Sequence, residues 1–118
     1  MRAGAALLVD DEELVRTSTA DMLRDLGYVV TEASSGEHAL AMLRAGFAAN
    51  LLVSDHLMPG ITGIELAREA QTLLPDLKVL IISGYAEEDG LPPDLTRLSK
   101  PFRQAQLAAS LAELTTPR

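Results

Sequence analysis

The sequence predicts an α/β domain in which a parallel sheet carries helices on both faces. Three observations lead to that class. Short β-like runs alternate with helical patterns along the chain. The composition is 47% hydrophobic but only 3% aromatic, so the core is built from Leu, Ala, Val, Ile and Met rather than from rings. No internal repeat or low-complexity tract interrupts the alternation. At 118 residues the chain forms one domain, predicted over residues 1–118, and a domain of this size buries about two thirds of its unfolded surface. Strand, helix, strand in this order requires right-handed crossovers between parallel strands, and these put helices on both faces.

The first strand is predicted at Ala5 to Val9. It is followed by EELVRTSTADMLRDLG, where Val15, Thr19, Met22, Leu23 and Leu26 share one helical face and Gly27 supplies the stop. Tyr28 to Glu32 reads as the second strand. Ser34 with Glu37, ahead of HALAMLRAG, has the spacing of a capping box and predicts the second helix. Leu51 to Ser54 is the third strand, and the Pro59-Gly60 turn leads to Thr62 with Glu65, a second capping box, before LAREAQTLL. Val79 to Ile82 is the fourth strand. The next helix should fall in AEEDGLPPDL, residues 86 to 95, but Gly90, Pro92 and Pro93 leave room for about one turn, so it is predicted short or absent. Leu95 to Leu98 gives a fifth strand, and a last helix runs from after Pro101 to about Leu114, with Leu107, Leu111 and Leu114 on one face.

A net charge of −7 argues against electrostatic binding to nucleic acid, which needs clustered Lys and Arg. The absence of cysteine excludes a disulfide scaffold and a thiolate zinc site and fits a reducing compartment, so the cytoplasm is expected. The longest apolar stretches are far too short to span a bilayer, and neither a signal peptide nor a membrane anchor is expected.

Ligands of an open parallel sheet gather beyond the carboxyl ends of its strands. Those ends carry Asp10 and Asp11, Asp55, Ser83, and Ser99 with Lys100. Three carboxylates brought together repel one another and must protonate, separate or take a cation. A hard divalent ion resolves the conflict; Mg²⁺ is the natural inference, with Mn²⁺ and Ca²⁺ left open. With a cation present Asp55 becomes a nucleophile toward phosphorus, and Lys100 and the Ser83 hydroxyl can hold phosphoryl oxygens. Taken singly, Asp10 and Asp11 read as caps of the first helix, Ser83 as a turn residue and Lys100 as a solvated charge. His56 is expected to be a partly exposed spacer, His38 a surface residue, and Met22, Met42 and Met58 packing residues.

The set VDDEE at 9 to 13, SDHLMPGITG at 54 to 63, IISGYA at 81 to 86 and SKPF at 99 to 102 resembles the receiver domain of two-component response regulators across essentially the whole chain. The resemblance implies a flavodoxin-like sheet of order 2-1-3-4-5, a phosphoacceptor at Asp55, and Mg²⁺ held by Asp10, Asp11, Asp55 and the backbone carbonyl of Leu57. It further implies Ser83 as the switch hydroxyl, Lys100 as the essential lysine, and a cis bond before Pro101. The implied phosphodonor is a histidine kinase or a histidine phosphotransfer domain. The domain would catalyse its own phosphorylation without being a turnover enzyme, and its output would pass to a protein partner, with no direct contact to nucleic acid or membrane.

Two features depart from the family pattern. Arg97 stands where receivers usually place an aromatic switch residue, and the span from Ser83 to Lys100 is shorter than the family habit. Both point to signalling through ordering of the loop from Gly84 to Asp94, with Tyr85 placed to gate the site. SGYA and KPFR resemble receivers at the carboxyl end of hybrid sensor kinases, so a receiver portion of such a kinase is an alternative to a free-standing regulator. No output domain is expected after Leu114. A haloacid-dehalogenase-like phosphatase would need an aspartate where this chain has Leu57. A phosphorylation-independent pseudo-receiver would lack Asp55, Lys100 or the acidic pair, and all are present.

Overall fold

In the computed structural model, which describes residues 4–84 and 92–115, the chain runs β1 (Gly4–Val9), α1 (Glu13–Asp25), β2 (Tyr28–Ala33), α2 (Gly36–Arg44), β3 (Leu51–Asp55), α3 (Gly63–Leu73), β4 (Lys78–Ser83), β5 (Thr96–Ser99) and α4 (Gln104–Thr115). The strands pair in the order β2-β1-β3-β4-β5, and every pairing is parallel. This is the flavodoxin-like order, and it leaves β2 and β5 at the edges.

Strand residues point alternately to the two faces, which splits the core in two. Leu7, Val9, Leu52, Val79 and Ile81 pack with residues of α2 and α3 on one side. Ala6, Leu8, Leu51, Val53, Leu80 and Ile82 pack with residues of α1 and α4 on the other. The central strand β3 is buried along its whole length, including its terminal Asp55.

Helix α1 follows the sequence expectation. Thr19 and Leu23 are buried, Met22 and Leu26 pack against the same cluster, and Gly27 takes a left-handed φ of 100° that closes the helix. The second capping box is present in full: the Thr62 side chain accepts from the Glu65 N–H, and the Glu65 carboxylate accepts from the Thr62 N–H.

The first capping box is not formed as the sequence predicts. Ser35, not Ser34, caps α2, accepting the His38 N–H at 3.0 Å. Glu37 reaches away from its own helix end and accepts the Ile61 N–H at 3.0 Å. The carboxylate is drawn off because the loop after β3 lies against the start of α2. The fifth strand is also displaced by one residue, since the Leu95 N–H turns back to the Pro92 carbonyl at 3.3 Å and pairing with β4 begins at Thr96 opposite Leu80. Leu95 is buried against the α2 and α3 side of the sheet.

The interval predicted to hold a short or missing helix lies mostly outside the described residues, as does Tyr85. Its described end is tied to α3 by a two-point ion pair from Arg68 to Asp94, with contacts of 2.8 and 3.0 Å. Among the described residues no helix is long and apolar enough to cross a membrane.

Candidate functional site

The carboxyl ends of β1, β3, β4 and β5 come together because the strands are parallel and neighbours in the sheet. Ladder bonds continue past the strand ends and hold the site residues in place. The Asp10 N–H donates to Ala33 O at 3.2 Å, the His56 N–H to Ile82 O at 2.9 Å, and the Lys100 N–H to Ser83 O at 2.8 Å.

Asp10, Asp11 and Asp55 each offer a carboxylate oxygen, and these oxygens lie within 4.8 Å of one another. Asp10 and Asp55 are buried whereas Asp11 is exposed. Lys100 Nζ lies 2.9 Å from Asp55 Oδ1, with side chains 29% and 7% exposed. The Ser83 hydroxyl is fully buried and has no hydrogen-bond partner among the described residues. The Lys100–Pro101 peptide is cis, as the resemblance implies.

Electrostatics show what the cluster costs. Burial pushes the Asp10 carboxyl above its ordinary pKa; the Glu12 N–H pulls it back, Asp55 and Asp11 push it further up, and Lys100 opposes them. Burial works against the charged form of Lys100, but the hydrogen bond and charge of Asp55, with Asp10 and Glu12, outweigh it and raise its pKa. The site therefore holds its ammonium tightly while remaining short of positive charge.

The structure brings Asp10, Asp11, Asp55, Ser83 and Lys100 to one edge. Leu57 follows Asp55 by two residues in the loop after β3, and is 56% exposed. His56 is half-buried, and its Nδ1 has no partner among the described residues. His38 is exposed, Met58 is core, and Met22 and Met42 pack at core margins. Arg97 lies exposed on β5 opposite Ile81.

Sequence reasoning missed three supporting residues. Arg16 on α1 donates from a terminal nitrogen to the Asp10 carbonyl at 2.9 Å and pairs through Nε with Glu32 of β2 at 3.1 Å. Gly63 opens α3 hard against the end of β3, since a Cβ there would collide with the Asp55 carbonyl oxygen. Only the glycine carried a linear signal, as the last residue of SDHLMPGITG; the other two depend on which strand lies beside α1.

Comparison with known proteins gives one answer. The response regulator receiver domain family matches residues 6–112. The sensor kinase CckA of Brucella abortus (strain 2308) is 39% identical over 95% of this chain, which spans 12% of that kinase. The response regulator receiver protein CpdR of the same strain is 34% identical over 92% of this chain and 93% of its own length. A receiver protein from Sinorhizobium medicae WSM419 has a similar structure at TM-score 0.83 and 35% identity, covering 93% of this chain and 92% of the other. The receiver domain of the hybrid histidine kinase CckA gives 0.80 and 35%, covering 96% and 100%. With the acidic cluster, the lysine and the doubly wound sheet already in place, the chain belongs to the response regulator receiver domains, the phosphoacceptor modules of two-component signalling.

Proposed function

We propose that residues 1–118 act as a single receiver domain that takes a phosphoryl group on Asp55 from a histidine kinase or a histidine phosphotransfer domain. The 2.9 Å contact between Lys100 Nζ and Asp55 Oδ1, set at the open end of the sheet beside two further carboxylates, is the observation that carries this reading.

The donor set fits a hard divalent cation. Oxygen ligands cluster within 4.8 Å, and the Asp10 carboxyl among them is raised chiefly by burial, with the charges of Asp55 and Asp11 adding to the rise. Asp10, Asp11 and Asp55, with the Leu57 backbone carbonyl, would hold Mg²⁺. When bound, the ion neutralises these carboxylates and polarises the phosphoryl oxygens.

The chain's own residues supply the rest. An Asp55 oxygen attacks phosphorus; the O–P bond forms as the P–N bond of the phosphohistidine breaks, and the electron pair leaves on the imidazole nitrogen. Lys100 passes its hydrogen bond from Asp55 to a phosphoryl oxygen as charge moves outward. The Ser83 hydroxyl, buried and with no hydrogen-bond partner among the described residues, can donate to another phosphoryl oxygen. In keeping with the receiver family, the domain is read as a self-phosphorylating regulator, not a turnover enzyme. Its output goes to a protein partner, and the cysteine-free composition supports a cytoplasmic setting.

Likeness to the CckA receiver supports a second setting for the same chemistry, as the receiver portion of a hybrid kinase. A pseudo-receiver that binds partners without phosphorylation is disfavoured by the intact acid cluster and lysine. Incubation with acetyl phosphate and Mg²⁺, followed by intact mass, tests the assignment. One added phosphoryl group is expected, lost in Asp55→Ala; its persistence in that variant would overturn the reading.

A further inference from the structure

Arg16 is embedded beside the acidic cluster, with its side chain only 16% exposed, and it makes contacts of two kinds. It holds the Asp10 carbonyl at 2.9 Å, and it is itself held by the Glu32 carboxylate at 3.1 Å. The Asp10 carbonyl belongs to the peptide that joins Asp10 to Asp11, the two side chains proposed to bind the cation. Two other polar groups of Asp10 are held as well: its N–H by Ala33 O at 3.2 Å, and its Oδ1 by the Glu12 N–H at 2.9 Å. Asp11 is exposed, and its carboxylate has no hydrogen-bond partner among the described residues. Its direction depends in part on the plane of the peptide before it, whose carbonyl Arg16 holds.

Charge explains why Glu32 belongs to the arrangement. A guanidinium next to carboxylates would swing into the cluster and compete with a cation. Glu32 sits opposite Leu8 in the β1–β2 register, pairs with Arg16 at 3.1 Å and lies 3.6 Å from Arg24. Arg24 lies in turn 3.7 Å from Asp21. Two arginines and two carboxylates sum to zero charge, so the clamp orients without acting as an internal cation.

We propose that Arg16, held by Glu32, is a positioning residue for the divalent cation site, setting the Asp10–Asp11 peptide so that both carboxylates face one ion. The inference rests on the cation reading given above. Loss of a group that orients metal ligands typically weakens metal binding by about 10–100-fold. The sign separates positioning from plain electrostatics, because removing a nearby positive charge would by itself strengthen cation binding.

The test is a Mg²⁺ titration followed by amide chemical shifts, in the wild type, Arg16→Lys, Arg16→Gln and Asp11→Asn, with melting temperatures measured without metal. Arg16→Lys keeps the charge but loses the planar two-point fork. Positioning predicts a dissociation constant raised about tenfold in both Arg16 variants, together with faster hydrogen exchange at the Glu12 amide. Unchanged or tighter Mg²⁺ binding in Arg16→Gln, or wild-type binding in Arg16→Lys, would overturn the inference while leaving the cation site standing. A fall in melting temperature without a change in affinity would reduce Arg16 to a structural residue. If the wild type binds no Mg²⁺, or Asp11→Asn binds as well as the wild type, the cation reading and the inference fall together.

Discussion

Lys100 and Asp55 form an ion pair of 2.9 Å at the end of a fully buried strand, the lysine reaching in from the loop after β5. The pair is part of an unbalanced site, since two more carboxylates lie beside it. Lys100→Ala should therefore cost about 2 kcal/mol in urea unfolding without metal, less than the roughly 3–5 kcal/mol of a fully buried pair because the lysine keeps some solvent contact. The raised pKa of Lys100 means that its contribution is complete at neutral pH and is lost only as pH climbs through the folded-state value at strongly alkaline pH. A Lys100→Ala variant as stable as the wild type at neutral pH would contradict the pairing.

Asp10 carries the opposite cost. Its folded-state pKa is raised, chiefly by burial, so the folded protein binds more protons at this group than the unfolded chain does. Stability consequently falls as pH rises from the ordinary aspartate range through the folded value. Asp10→Asn should gain about 1 kcal/mol at neutral pH without metal, raising the melting temperature by about 4–8 °C. The gain should vanish under acid conditions where both states hold the proton. Saturating Mg²⁺ should reverse the order, since a ligand at a hundredfold its dissociation constant stabilises by about 2.7 kcal/mol. Calorimetry across pH, with and without Mg²⁺, measures both effects.

Gly63 sets the distance between α3 and the end of β3. Its N–H donates to the His56 carbonyl at 2.8 Å, and an added Cβ would run into the Asp55 backbone, which belongs to the buried sheet and cannot yield. Gly63→Ala should destabilise by about 1–3 kcal/mol, the usual cost of overpacking, and slow phosphoryl uptake by displacing the Asp55 loop. Normal stability and normal uptake in this variant would show that α3 can move away freely.

The start of α2 separates two adjacent serines. Ser35 caps the helix through the His38 N–H, whereas Ser34 is exposed and outside it. Ser35→Ala should lose about 1 kcal/mol, and Ser34→Ala should stay within about 0.5 kcal/mol of the wild type. Equal losses would argue for the cap at Ser34 that the sequence spacing suggests.

The sequence by itself determined the alternation of strands and helices, the length of the sheet, and the residues standing at the strand ends. Each of these is recorded among neighbours in the chain: apolar runs for β1, β3 and β4, a period near four in α1, and Thr62 three residues before Glu65. The likeness to receiver domains was legible for the same reason, since its motifs are short segments at strand ends. Tertiary structure decided the rest. Glu37 has capping-box spacing, yet it is taken by the Ile61 N–H, 24 residues away, because the loop after β3 crosses in front of α2. Leu95 has the apolar character of a strand residue but enters the core, because a turn from Pro92 claims its N–H first. Arg16 meets Asp10 and Glu32 only because the crossover through α1 lays β2 beside β1 with Leu8 opposite Glu32. Polar contacts of this kind follow from which elements the sheet makes adjacent, and linear spacing does not contain that information.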